Sequence, residues 1–357
     1  MSPTLDIGVK PIPSGAHSAP GRRIDVDILR LIAILLVTSF HIARWLGYDS
    51  LFILRPLKTV FMEGGDVGVC LFFFLSGFCH SGDALHAEHY GTFLIRKFMK
   101  LAPPYYVAIA IWIILVSLGI AVKPIGIRHV VLHMLFLHAF SASAFYSISG
   151  VFWFLGVIFQ MYVLCPVFMK LCKRGWLVGM LSCLVPFALS LYVANKFTHN
   201  NPVVCKGFFM YAPCFMMGML QRKHPLTIGS HVAKFIFISV ALGLLTVKMP
   251  LCRELSRVVK ASLLAMSMLQ MGSCAGKLPA AISSIVQLIS VSSYSIYLYN
   301  YIFYAYKPVS RNSATMLCSI GIVFGFGILM YHLVERPLWN KVGMLLPPRR
   351  KQQNQAT

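Results

Sequence analysis

Near the start of the chain, Asp27, Arg30, His41 and Arg44 are spaced along one apolar run. Arg30 and His41 are eleven residues apart, which at the helical pitch leaves them only about 20° out of phase, and Asp27 and Arg44 share the same stripe. A helix through this run has one polar face. That face must look into a bundle, because an ionisable group in hydrocarbon is costly and is kept for a partner or a function. His41, counted from Ile28, lies about 20 Å into the core, beyond the midplane. Imidazole gives and takes a proton near neutrality, so a histidine facing a bundle interior suits activation of a hydroxyl. The structural alternative is a His41 hydrogen bond to a neighbouring helix, with Arg30 and Arg44 snorkelling to opposite interfaces.

Other polar residues carry weaker signals. Arg96 and Lys100 are an i, i+4 pair before Pro103 and Pro104, and with Lys97 they make a basic collar. The collar is either an anchor of positive-inside type or a phosphate clamp. His129 and His133 have metal-pair spacing, but no carboxylate or further histidine is evident nearby, so they read as interfacial histidines and no metal is expected. Glu335, before Pro337, reads as a helix-end carboxylate pairing a basic residue.

The elements that must position these residues follow from composition. The 357 residues are 58% hydrophobic and only 12% charged, with mean hydropathy +0.74, which excludes an ordinary soluble domain. The solvent is largely lipid. A net charge of +22 could mean nucleic acid, but the basic residues sit in short stretches between apolar runs, which favours a membrane protein and excludes a nucleic-acid partner. The expected fold is an all-α integral membrane bundle of about ten transmembrane helices. The spans run approximately over Ile28–Leu46, Thr59–Cys79, Ala102–Val122, Gly150–Met169, Trp176–Ala194, Val203–Leu220, Val232–Val247, Val258–Met271, Ile282–Tyr304 and Thr315–Val334. Each can cross a hydrocarbon core of about 30 Å, the shorter ones by tilt or local thinning. The segment 130–140 is apolar but short, interrupted by His133 and His138, and is expected to be re-entrant or interfacial.

With both termini cytoplasmic, Lys and Arg on the inner side outnumber those on the outer side, the bias expected of an inserted protein. Residues 1–22 read as a disordered tail, 23–340 as one transmembrane domain and 341–357 as a basic tail. Arg22 and Arg23 precede an apolar run as in a signal peptide, but Arg30 within it and the lack of an Ala-x-Ala-like site argue against cleavage. Most of the ten cysteines fall inside apolar runs and read as small core residues. Cys205 and Cys252 lie near outer ends, where a disulfide is possible in principle although no spacing supports one.

At these residues the chain resembles the acyltransferase 3 family of membrane-bound O-acyltransferases. DVDILRLIAILLVTSFH, ending at His41, resembles the family's opening helix, with its Asp, Arg and a His eleven residues after the Arg. GVCLFFFLSGF, which contains Ser76, and FLIRKFMKLAPPY follow in the family's order. So do WFLGVIFQMYVLCP with Trp153 and Tyr162, YAPCFMMGML from Tyr211, SYSIYLYN with Tyr297 and Asn300, and VERP with Glu335. The sequence departs from the pattern at Lys100, where Arg is usual, at Ile158, where many members carry Glu, and at Asn300, which replaces a frequent His.

The resemblance implies a multi-pass protein of a bacterial inner membrane. It would transfer acetyl or another short acyl group from acyl-coenzyme A, a co-substrate and not a bound cofactor, to a hydroxyl of lipopolysaccharide, exopolysaccharide or another envelope glycan or lipid-linked sugar. His41 would be the general base, with Arg30 orienting it or stabilising charge on the donor. Arg96, Lys97 and Lys100 would hold the donor phosphates, and Asp27, Arg44, Ser76, Trp153, Tyr162, Tyr297, Asn300 and Glu335 would support substrate or structure. A secondary transporter or glycan flippase shows similar polar helix faces, and a structural membrane subunit is a third possibility.

Overall fold

The computed structural model describes residues 22–47, 57–80, 89–120, 125–197, 201–246, 253–270, 278–302 and 312–345. These form helices α1 (Ile24–Leu46), α2 (Lys58–His80), α3 (Tyr90–Ser117), α4 (Ile127–Met134), α5 (Trp153–Lys173), α6 (Trp176–Phe197), α7 (Pro202–Cys205), α8 (Phe208–Lys223), α9 (His231–Thr246), α10 (Arg253–Leu269), α11 (Ala280–Tyr299), α12 (Ser313–Met330) and α13 (Arg336–Leu345). A 3₁₀ turn spans His138–Phe140, and a π-helical turn, Tyr331–Glu335, joins α12 to α13. No strand occurs among the described residues. In lipid this is the expected solution, since a helix satisfies its backbone polar groups internally.

Eight helical stretches are long and apolar enough to cross a membrane, the last running from Ser313 to Val342 through the π turn. Of the ten expected spans, the two outside this set are α9, whose apolar stretch is Ala233–Leu245, and α10, which has 17 residues and carries Arg253, Glu254, Arg257 and Lys260. The segment expected to be re-entrant forms α4, of 8 residues, and the following 3₁₀ turn, both too short to span. Most of the two tail segments, and Cys252, lie outside the described residues; Cys205 is a free thiol.

Helix α2 is the hub, packed against α1, α8 and α10. Its glycines make that possible. A Cβ on Gly68 would meet the Ala33 carbonyl at 2.6 Å and Val37 at 2.8 Å, so Gly64-x-x-x-Gly68 lets the α1 backbone approach as small residues do in membrane helix pairs. On the opposite face, Gly77 lies against the Phe215 carbonyl and Gly218 against the Phe74 carbonyl. These reciprocal close approaches fix the α2–α8 crossing.

The basic collar is helical. α3 begins at Tyr90 and continues through Pro103 and Pro104. The prolines remove the backbone donors to the Met99 and Lys100 carbonyls, a defect that helices in a bundle tolerate; one residue on, Tyr294 Oη donates to the Leu101 carbonyl at 2.7 Å. Regular helix before the prolines places Lys100 between the other two in angle, about 40° from Arg96 and about 60° from Lys97, while Arg96 and Lys97 are about 100° apart.

Candidate active site

At one end of the bundle, the N-terminal halves of α1 and α3 meet the C-terminal end of α2, the middle of α11 and the π turn. They enclose a cavity of about 570 Å³. Arg30, Lys97, Lys100 and Arg336 line it with Glu335, Ser76, Tyr162, Tyr294 and Tyr297, and several of these side chains are held by further contacts. Asp27, buried, accepts from Arg22 Nε at 2.6 Å and Ser290 Oγ at 2.5 Å, and lies 3.6 Å from Arg30 Nη1. Arg30 Nη2 reaches Cys79 Sγ at 3.6 Å. Glu335 accepts from Ser295 Oγ at 2.6 Å. Tyr162 Oη is 3.4 Å from Ser76 Oγ. Lys97 is only 8% exposed, its ammonium 5.3 Å from the Phe93 ring and 5.2 Å from the Tyr162 ring, a placement in which aromatic faces replace water. Lys100 lies 5.8 Å from the Trp339 ring.

The expected donor residues are therefore divided. Arg30, Lys97 and Lys100 share the cavity, and Arg96 is not among its lining residues. Ile158 lines the wall, so the position where a family carboxylate is frequent contributes an apolar surface. Toward the bundle interior the lining becomes aromatic. Phe72, Phe154 and Tyr297 form a triangle with ring centroids 6.2, 6.2 and 5.0 Å apart. Tyr297 is held there by its hydroxyl, which donates to the Val151 carbonyl at 2.7 Å.

His41 does not line this cavity. It lies about 16 Å further along α1 at 1.5 Å per residue, half-buried between Phe40, at 5.0 Å, and Tyr301, at 5.3 Å and perpendicular to it. Gly150 leaves room for Tyr301, since a Cβ there would meet its ring at 2.6 Å. The charges acting on His41 are those of Lys206, Arg44 and Asp66. Asp66 is paired with Arg257 at 3.2 Å and Lys206 at 3.4 Å, and Glu63 is paired with the fully buried Lys260. Trp153 belongs to this end, with the Lys206 ammonium 5.7 Å from its ring and Tyr211 at 5.3 Å. Asn300 is buried and donates to the Tyr297 carbonyl at 2.7 Å, which makes it a brace for the aromatic triangle.

Sequence reasoning missed Glu63 and Asp66 on α2. The available signal was spacing: two acids three apart in an apolar helix, matched by Arg257 and Lys260, also three apart, in α10. It also missed His80, whose Nδ1 is 2.5 Å from the Ser76 carbonyl and whose Nε2 contacts the Lys97 ammonium. His133, considered as half of a metal pair, is instead a bolt for the loop after α4. Its Nδ1 accepts from Tyr105 Oη at 2.5 Å, its Nε2 reaches Ser147 and the Ala144 carbonyl, and its ring stacks on His138 at 4.0 Å.

A multi-pass helical bundle with a polar cavity at one end and a histidine toward the other defines a membrane protein of buried-site type. Residues 23–336 match the acyltransferase domain of the acyltransferase 3 family. The chain belongs to that family. It is similar to nodulation protein 10 of Rhizobium leguminosarum bv. viciae, with 25% identity over 236 residues, covering 59% of this chain and 62% of that protein. The chain thus spans less than two thirds of that relative's length. No solved structure matches it.

Proposed function

We propose that this protein is an O-acyltransferase of a bacterial inner membrane. It moves acetyl or another short acyl group from acyl-coenzyme A to a hydroxyl of an envelope polysaccharide or lipopolysaccharide. The observation that supports this best is the cation-lined cavity on the same helix as His41, with an aromatic wall between them. Arg30, Lys97, Lys100 and Arg336 suit the donor phosphates, since charge-assisted bonds to phosphate are strong where water is partly excluded. Arg96, one turn before Lys100 and outside the cavity lining, adds long-range attraction. The pantetheine arm passes the Phe72, Phe154 and Tyr297 rings toward His41, and the sugar hydroxyl arrives from the opposite end. His41 accepts the hydroxyl proton as the oxygen attacks the thioester carbonyl. The C–S bond breaks, and the thiolate leaves and is protonated. Direct transfer and an acyl-histidine intermediate use the same residues.

Purified protein in nanodiscs tests the reading against a transporter or flippase. A transferase liberates thiol from acetyl-coenzyme A only when acceptor or water takes the acyl group, whereas transport without thiol release would remove the reading. The donor site has its own readout. Cys79 lines the cavity beside Arg30, so coenzyme A should slow its alkylation by N-ethylmaleimide. Lys100→Ala should raise the donor KM several-fold, with the defect growing at higher salt because exposed charge pairs are screened. Unchanged donor dependence and unprotected Cys79 would return the collar to a topological role.

The topology that goes with this reading has ten spans, α9 and α10 included, and both termini cytoplasmic. Consecutive long helices alternate in direction across the two polar clusters, which supports it. Arg22 before α1 and Arg222 at the C-terminal end of α8 line one pocket, while Asp66 near the start of α2 meets Arg257 near the start of α10. Reporter fusions after Arg174 and Lys351 should read cytoplasmic and one near Asn200 extracytoplasmic. A cytoplasmic signal at Asn200 would require every later helix to be redrawn.

A further inference from the structure

The His41 end of the bundle carries positive charge that insertion does not explain. Lys and Arg are disfavoured on the outer side of an inserted protein. Yet the acids that the sequence assigns to this end, Asp49, Glu63, Asp66 and Glu254, are outnumbered severalfold by Lys and Arg. Three of those cations have side chains engaged by the bundle: Lys260, fully buried, and Arg257, 5% exposed, on α10, and Lys206, 33% exposed, in the turn between α7 and α8. Arg257 is matched by Asp66, and Lys260 by Glu63. Lys206 is a second cation on the Asp66 carboxylate, and the exposed Arg44 is a further one acting on His41. The surplus lies next to the histidine.

Buried hydroxyls also occur among these residues. Thr38 Oγ1, one turn before His41, Ser149 Oγ beside Gly150, Ser256 Oγ beside Arg257, and Tyr211 Oη have no hydrogen-bond partner among the described residues although all are buried. Arg257 lies 5.3 Å from the Tyr211 ring. Buried polar atoms are normally satisfied, and unsatisfied ones point to strain, a functional role or a bound water or polar ligand. Donors and acceptors of this kind suit a sugar; the cation surplus suits an anion.

We propose that the acceptor is an anionic glycan, bearing a carboxylate or phosphate on the acylated sugar or its neighbour. Lys206 and Arg44 draw that group to the His41 end, so the hydroxyl to be acylated is delivered beside the imidazole. This rests on the transferase reading. The Asp66 carboxylate holds Lys206 in place without cancelling both cations, and the Trp153 ring under the ammonium limits its freedom.

The test compares envelope glycans from wild-type and deletion strains by mass spectrometry, then uses the isolated non-acylated glycan as acceptor in nanodiscs with acetyl-coenzyme A. The acyl groups lost on deletion should lie on, or next to, a uronic acid or phosphorylated sugar. Lys206→Gln should raise the acceptor KM five-fold or more and leave the donor KM unchanged, and Lys206→Arg should restore it. In the wild type the acceptor KM should rise with salt. Acyl groups found only on neutral stretches, or an acceptor KM indifferent to Lys206→Gln and to salt, would overturn the proposal while leaving the transferase intact. Unchanged glycans in the deletion strain would instead remove the transferase reading on which it stands.

Discussion

His41→Gln should abolish acyl transfer in membranes that contain the variant at wild-type abundance. Glutamine keeps hydrogen-bonding capacity and much of the volume but cannot act as a base near neutral pH. The walls beside it, Phe40 and Tyr301, are rings packed edge to face, which a side chain of similar volume can occupy. General-base assistance contributes about 10²- to 10⁴-fold, so the loss should exceed anything a modest change in abundance produces. The measurement is acylated glycan per unit of protein, with thiol release from acetyl-coenzyme A as the second readout. Donor binding should survive, because the cavity that suits coenzyme A lies at the other end of α1 and does not include His41. A Gln variant with wild-type acylation would remove the base assignment and favour packing or transport as the purpose of the polar stripe.

The first helix was readable because its signal is local. Asp27, Arg30 and His41 are polar residues at helical spacing in an apolar run, and the structure brings Arg30 to a cavity while setting His41 apart along the same helix. Helical periodicity assigned both residues to one stripe but carried no information on what faced each part of it. The hub role of α2 was hidden for a similar reason: Gly68, Gly77 and Gly218 mean close approach only when the partner backbone is known. The basic collar showed the opposite limit. Its charges were visible, but which of them face the cavity was not: Lys97 and Lys100 line it and Arg96 does not, although Arg96 is one turn from Lys100. The two short helices were the hardest to count as spans. α10 joins apolar stretches to four charged residues, and whether those charges end a helix or enter the bundle depends on α2, more than a hundred residues away.

That dependence makes Asp66→Asn the second change with a large expected effect. The carboxylate, 9% exposed, pairs with Arg257, itself 5% exposed. Neutralising one member of such a pair leaves a buried charge without its main compensation, which costs about 3 kcal/mol or more. Lys206, one third exposed, can turn toward water and loses less. Arg257 cannot, so the penalty falls on the α2–α10 contact, and the variant should show a marked fall in folded protein on heating in detergent. Replacing both charges should cost much less than the single change, because an apolar side chain needs no counter-ion. Asp66→Asn combined with Arg257→Met should therefore recover much of the lost stability. The measurement is a double-mutant cycle by thermal unfolding with size-exclusion detection of monodisperse protein. Strong positive coupling means that the ion pair fastens α10 to the hub helix. Additive losses would mean that α10 is held by its apolar face and the Glu63–Lys260 pair, and that Asp66 contributes to the charge around His41 without fastening the two helices.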